Sequence, residues 1–467
     1  MGTGIDFSVR DRWGRLPDLA GIPAASLPPL DGVLLATEAL LATAADDFGH
    51  LVHRRPLAVL DPGSASDVAR MVTFGCQHGI KIGPRGQAKS AYGQAQVEGG
   101  IVVRMSSLNR PPVFRPGLVE VSAGLTWSQV LAAALKHGLR PPVMAQTTYL
   151  SVGGTLSFGG VDGGSFRSGA QVDTVLELQV VTGEGHIQTC SATRQPELFE
   201  AMLAGIGQCG IILRATLPLV SAPTRTDAFL LPYRDAGTLL ADMGGPATDG
   251  RFDRAIGYVM PAAHGWTCYL LAARHFTPPH RPDRESLLDG LHHYHGFERA
   301  SGLTYYESAG LGREVSDGRF LRGHVAQPHP WLALLLPREA AGEFAAYVLS
   351  SLRPSTPADC LVEFHRINPG LSRHPLLRLP ESPAAILVVI LSAPRDFAAA
   401  SRMLERNRAF FERARRMGGT LIPAGAVPLS QQDWREHYGP VWERFLAAKR
   451  HFDPDRVMTP GPGIFPA

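Results

Sequence analysis

Six of the twelve residues from Gly153 to Gly164 are glycine, in Gly153-Gly-Thr-Leu-Ser-Phe-Gly-Gly-Val-Asp-Gly-Gly164. Glycine costs about 1 kcal/mol per residue in a helix interior and weakens a strand. A run this dense therefore belongs where the backbone closely approaches a ligand or another chain segment. A second stretch of similar texture, Pro84-Arg-Gly-Gln-Ala-Lys-Ser-Ala-Tyr-Gly-Gln94, directly follows an apolar strand pattern. Its glycines let backbone N–H groups reach a phosphate, and Arg85 adds charge. Val152–Gly160 is not GxGxxG, so the dinucleotide fingerprint of a Rossmann unit fails. Gly83–Ser90 is one residue short of a Walker A loop, with Ala88 where that pattern needs glycine. Gly93, Gly99 and Gly100 follow where a helix should open, so a P-loop-like nucleotide-binding protein is only a remote alternative.

Around these loops the patterns are ordinary. Leu57-Ala-Val-Leu60 predicts a buried strand. Ser64, with Asp67 three residues on, caps a helix carrying Val68, Met71, Val72 and Cys76 at helical spacing. Ile80–Pro84 predicts the next strand, and the three pieces read as a small βαβ unit. Thr126 with Gln129 caps another helix, which Gly138 stops. Strand patterns recur over 101–105, 119–124, 175–181, 186–190 and 210–217. After about residue 220 the glycine-rich loops thin out, and amphipathic stretches appear at 338–351 and 398–417. With 467 residues, 45% of them apolar, the chain can build two cores. The expectation is an α+β protein: a first domain over 1–220 with 1–35 as lead-in, a second over 221–425, and a return of 426–467 to the first.

Composition excludes other classes. A net charge of +3 calls for neither nucleic acid nor an anionic membrane as partner. Five well-separated cysteines without a CxxC argue against a disulfide framework or structural zinc and read as buried thiols. His292, His293 and His295 lack a carboxylate at ligand spacing and read as a solvated helix, so no metal is expected. The N-terminus shows no signal-peptide pattern and no segment is apolar enough to span a membrane, which predicts a soluble cytoplasmic protein.

Taken in order, a longer series of pieces resembles the cytokinin dehydrogenases, within the vanillyl-alcohol-oxidase-like flavoproteins. It runs through Arg85-Gly, Ser90, Gly93-Gln-Ala95, Gly99-Gly-Ile-Val-Val, Val121-Ser-Ala-Gly, Trp127 and Tyr149-Leu-Ser-Val-Gly-Gly-Thr-Leu-Ser157. It continues through Phe166-Arg, Glu177-Leu-Gln-Val-Val-Thr-Gly183, Gly207-Gln-Cys-Gly-Ile-Ile212, Pro328-His-Pro-Trp-Leu332 and the ending from Phe452 to Phe465. The resemblance covers about residue 50 to the end. It implies a two-domain PCMH-type FAD-binding fold in which residues 1–220 bind FAD and 221–425 cap it. The implied FAD contacts are Pro84, Arg85, Gly86, Gln87, Ala88, Lys89, Ser90, Gln94, Ser151, Ser157, Val161, Ile212 and Thr459.

Three departures qualify it. The family's flavin-linked histidine falls on Lys89, so FAD is expected without a covalent bond. The family's acid–base aspartate falls on Gln146, which can orient a substrate but cannot take its proton. General-base help of about 10²–10⁴-fold then needs another group; Tyr149, His324 and Glu363 are the candidates. A family tyrosine near the ring falls on Leu421. The resulting expectation is an oxidoreductase passing hydride from a small amine or alcohol to FAD and on to oxygen or another acceptor, in specialised metabolism. The alternatives are a redox-neutral or binding flavoprotein, and a true cytokinin dehydrogenase with a relocated base.

Overall fold

The computed structural model describes residues 26–145, 147–311, 326–352 and 360–465. The first sheet has four strands: β1 (Val33–Leu35), β2 (Ala58–Asp61), β3 (Ile82–Arg85) and β4 (Ile101–Arg104). Ala58, Val59 and Leu60 are all buried, as expected of a strand covered on both faces. The helix Ala65–His78 is capped by Ser64, which accepts the Asp67 N–H, and closes on Gly79 at φ 67°. Its Val68, Met71 and Val72 pack on the sheet. The strand order is β1-β2-β4-β3, so the expected βαβ unit is split: β4 lies between β2 and β3, parallel to both. The intervening strand arrives only after the loop that follows β3, which is how that loop comes to lie at the sheet's end.

A second sheet follows, built from β5 (Val113–Arg115), β6 (Leu118–Ser122), β8 (Glu177–Thr182), β9 (Ile187–Ser191) and β10 (Gly210–Pro218), with the short pair β7 (Leu139–Arg140) and β11 (Val220–Ser221) beside it. Its order is β5-β6-β10-β8-β9, all antiparallel. The helix Trp127–Leu135 opens with the Thr126–Gln129 capping box and buries Trp127, Val130 and Leu131 against this sheet. The Trp127 indole N–H donates to Thr155 Oγ1 at 2.8 Å, which ties the glycine-rich segment to that core.

The third sheet has eight strands: β12 (Arg225–Tyr233), β13 (Arg254–Ala262), β14 (Gly265–Phe276), β15 (Arg299–Thr304), β16 (Leu332–Pro337), β17 (Cys360–Ile367), β18 (Ala385–Ser392) and β19 (Thr420–Leu421). Their order is β15-β12-β14-β13-β17-β18-β16-β19. Side chains alternate between its faces. Val259, Val362, Phe364 and Val388 point to the helices 236–243, 338–351 and 397–416. Ile256, Tyr258, Leu361 and Leu391 point the other way and pack with Phe48 from the first part of the chain. Leu335, Ile367 and Leu387 on that inner face join the core of the second sheet.

After β19 the helices Gln431–Tyr438 and Trp442–Phe452 return to the second sheet, burying Trp434, Tyr438 and Phe445. The end of the chain is fastened by a buried ion pair. The Lys449 ammonium reaches Asp453 Oδ2 at 2.5 Å and donates to the Gln208 and Met458 carbonyls. Asp453 in turn accepts the Val457 and Met458 N–H groups.

No helix among the described residues is long and apolar enough to cross a membrane. Cys190, Cys209, Cys268 and Cys360 are buried and Cys76 half-buried, and none of them forms a disulfide among the described residues. Removing one partner of a buried ion pair strands the other charge, at about 3–5 kcal/mol. Lys449→Met should lower the unfolding free energy by that amount in urea titration; a loss under about 1 kcal/mol would show the pair to be peripheral.

Candidate active site

The glycine-rich segments and the fastened C-terminal tail enclose a cleft of about 200 Å³, open to solvent on one side. Pro84 and Gly86–Ser90 form one wall, Ser151 to Phe158 a second, and Ile206, Gly207, Gly210–Ile212 and Thr459 a third. The walls approach so closely that side chains would fill the space. A Cβ at Gly86 would lie 2.2 Å from Ser151 Oγ, and one at Gly153 2.9 Å from Ala123 Cβ. Ala88, Ile206 and Thr459, all lining the cleft, hold positive φ values of 53°, 52° and 45°. Such strain in non-glycine residues collects at functional sites.

These features test the cleft for a dinucleotide. Among the described residues, the N–H groups of Gln87, Ala88 and Ser90 donate to no backbone carbonyl. With Ala88 in the left-handed region, they form the kind of concavity that binds a phosphate. Apolar Met105, Ala123, Ile211 and Ile212 suit a flat ring. The residues present fit FAD.

Lys89 stands at the end of the cleft that faces the third sheet. Its ammonium lies 3.8 Å from the centre of the Phe48 ring and 4.8 Å from that of Tyr149. Phe48 stacks on His329 at 4.4 Å. Phe48 N–H donates to the Ala88 carbonyl and His329 N–H to the Gly49 carbonyl, so the rings are held by the loop they border. Desolvation within this clamp costs less because the ring faces attract the cation. Beside it, buried Asp47 accepts the Gly93 N–H at 2.7 Å, the Gly49 N–H at 3.0 Å and the Ser90 hydroxyl at 3.2 Å. Burial outweighs these bonds and pushes its carboxyl up to about 6. Gln94 closes the loop by donating to the Pro423 and Gly425 carbonyls.

Of the residues expected from sequence, Pro84, Gly86, Gln87, Ala88, Lys89, Ser90, Gln94, Ser151, Ser157, Ile212 and Thr459 line this one cleft. Two do not. The Arg85 guanidinium turns away and donates to the carbonyls of Thr43 and Asp46. Val161 packs against the core of the second sheet instead. Gln146 and His324 lie outside the described residues. Tyr149 borders Lys89, and Glu363 is buried on the inner face of the third sheet.

Leu421 packs into the core on the far side of that sheet, so its position offers no contact with a ring in the cleft. His292, His293 and His295 follow the helix Arg284–Leu288 rather than forming one, and His292 is held by Asp242. No metal-binding group occurs among the described residues. No helix follows Ser90, which removes the structural context a P-loop needs. Sequence reasoning missed Asp47 and Phe48, whose neighbourhood has no lasting period, and Met105, which reads only as the end of a strand.

This fold and cleft define a FAD-dependent oxidoreductase. Residues 56–191 match the FAD binding domain model, and 280–465 match the model described as cytokinin dehydrogenase 1, FAD and cytokinin binding. An uncharacterized oxidoreductase of the fasciation locus of Rhodococcoides fascians is 34% identical over 92% of this chain and 99% of its own. Cytokinin dehydrogenase 5 of Oryza sativa is 32% identical over 90% and 88%, and cytokinin dehydrogenase 4 of Arabidopsis thaliana 30% over 91% and 91%. In structure, the fold matches 6-hydroxy-D-nicotine oxidase of Arthrobacter nicotinovorans with a TM-score of 0.75 at 21% identity, over 96% of this chain and 100% of that one. The chain belongs to the cytokinin dehydrogenase family, and its cofactor is FAD.

Two outcomes follow. Gly86→Ala should weaken FAD binding at least tenfold, measured by flavin fluorescence, and adding Ser151→Gly, which removes the colliding atoms, should restore much of it. The raised Asp47 carboxyl favours the native state most below about pH 4, and this contribution is lost as pH rises through about 6. In flavin-free protein, the stability of wild type relative to Asp47→Asn should therefore fall by about 2 kcal/mol between pH 4 and 7, at 1.36 kcal/mol per pKa unit. A flat difference across that range would contradict the assignment.

Proposed function

We propose that this chain oxidises a small organic amine or alcohol by passing hydride to a FAD held without a covalent bond, as a cytoplasmic enzyme of specialised metabolism. The cleft wall carries the non-covalent reading: among the described residues lining it there is no histidine and no cysteine. Lys89 stands where the family's linked histidine falls, and lysine is not a usual flavin attachment point. When bound, FAD supplies a two-electron acceptor that returns its electrons to oxygen or another acceptor.

The protein's own part is to bind, orient and exclude water. Gly86–Ser90 would hold the pyrophosphate through backbone donors. The caged Lys89 ammonium would stabilise negative charge at the end of the cleft facing the third sheet. Phe48 and the inner face of that sheet would keep water from the reacting carbon. Substrate therefore enters between the third sheet and the Lys89 loop. The relatives are named for cytokinins, but Gln146 in place of the family's aspartate cannot take a proton, so a different amine or alcohol is the favoured substrate.

Anaerobic mixing of the holoenzyme with a panel of amines and alcohols tests this. Bleaching of the flavin absorption by at least one of them is expected. Bleaching by dithionite but by no panel member would support a redox-silent relative instead.

A further inference from the structure

One end of the third sheet's inner face is only partly covered. There Leu230, Pro232, Met260 and Tyr269 are half-buried, while Leu231, Tyr233, Val259 and Leu270 beside them point to the helices and are buried. An antiparallel sheet with one face open to solvent ordinarily carries polar side chains there. Here the open face is apolar, and strand pairing shows which residues share it. Tyr269 on β14 stands opposite Pro232 on β12 and Tyr258 on β13. Arg299, on the edge strand β15, stands opposite Leu230.

A wall rises beside this patch. The loop 289–298 carries Tyr294 and Phe297, which are 51% and 75% exposed. It is held at three points. The buried Asp242 carboxylate accepts the His292 N–H at 2.7 Å, the Tyr294 N–H donates to the Pro232 carbonyl at 2.8 Å, and Glu298 pairs with Arg284 at 3.2 Å. The two exposed rings therefore stand on anchored backbone. Floor and wall enclose a hollow of about 560 Å³. Ligand pockets are roughly 300–1,000 Å³ and mostly apolar, with a few placed polar groups. Among the described residues, the one charged group lining this hollow is the Arg299 guanidinium. The neighbouring Glu298 is engaged by Arg284, and Arg299 has neither hydrogen bond nor ion pair among the described residues. None of them lines both this hollow and the cofactor cleft.

We propose that this hollow is a second ligand site and that it takes a planar aromatic anion, an aryl carboxylate. The Tyr269, Tyr294 and Phe297 rings offer a flat apolar body both stacked and edge contacts. The Arg299 guanidinium meets the carboxylate with two parallel N–H donors, a geometry that a point charge does not supply. A neutral ring leaves that cation unused, and a cationic one is repelled by it. The concave shape, walled on one side by the anchored loop, suits a small molecule better than the flat face of a protein.

The probe is 2-naphthoate, with uncharged 2-naphthamide as its control, titrated calorimetrically into FAD-saturated protein. Naphthoate should bind once per chain, about fivefold more tightly than the amide, as an ion pair worth about 1 kcal/mol requires. Arg299→Gln should remove that preference and leave the affinity for the amide unchanged, and Arg299→Lys should keep part of it. Phe297→Ala should weaken both compounds by about fivefold or more. Unchanged FAD content and reduction by dithionite show that each variant is folded.

No binding of naphthoate overturns the proposal, and so does an affinity indifferent to both Arg299→Gln and Phe297→Ala. Acid and amide that bind equally well to wild type overturn the anion assignment. Naphthoate that binds only flavin-free protein lies in the cofactor cleft and overturns the second site. A wild type that is dimeric by light scattering, and monomeric as Phe297→Ala, shows the hollow covered by a second copy and overturns the small-molecule assignment.

Discussion

Lys449 and Asp453 meet as two charges almost without water, one turn apart on the last helix. Two ions buried without further partners would destabilise the fold, because desolvation exceeds their mutual attraction. Here the remaining valences are used: the ammonium takes the carbonyls of Gln208 and Met458, and the carboxylate takes two N–H groups of the tail. The pair thereby joins the 204–210 turn to the end of the chain. Thr459 follows, bonded to the Gly207 carbonyl and to Ile82, and completes the third wall of the cleft. A cofactor site assembled from residues 84 to 459 depends on that fastening, since no single segment could enclose it alone.

The same economy governs the charges at the active end. Asp47 is buried and its carboxyl raised, yet it gathers two donors from the loop that must stay open to a phosphate and a third from Gly49. Lys89 is balanced by ring faces, which hold a cation without neutralising it. In the proposed site this clamp places positive charge at the end of the cleft that faces the third sheet.

Local features were legible in the sequence because their causes are local. The Ser64 and Thr126 caps, the stop at Gly79 and the alternation of the strands depend on residues within a few positions. The dense glycines marked the cleft because only glycine permits the approach of Gly86 to Ser151. What sequence did not show depends on chain segments far apart. The insertion of β4 between β2 and β3 is decided by sheet pairing. The turn of Arg85 toward residues 43–46 is decided by where the helix Glu38–Ala44 ends. Phe48 becomes important only because Lys89, Tyr149 and the third sheet converge on it, and no periodicity around residue 48 announces that. Leu421 shows the converse: a position matched by family resemblance whose side chain packs on the other face of the sheet.

The central claim is a FAD held in this cleft by backbone and by the caged Lys89, without a covalent bond. The visible spectrum of the purified protein, followed by acid precipitation, tests it most directly. A yellow protein that leaves its colour in the supernatant is the predicted result. A yellow pellet, or a colourless protein that takes up no added FAD, would contradict it.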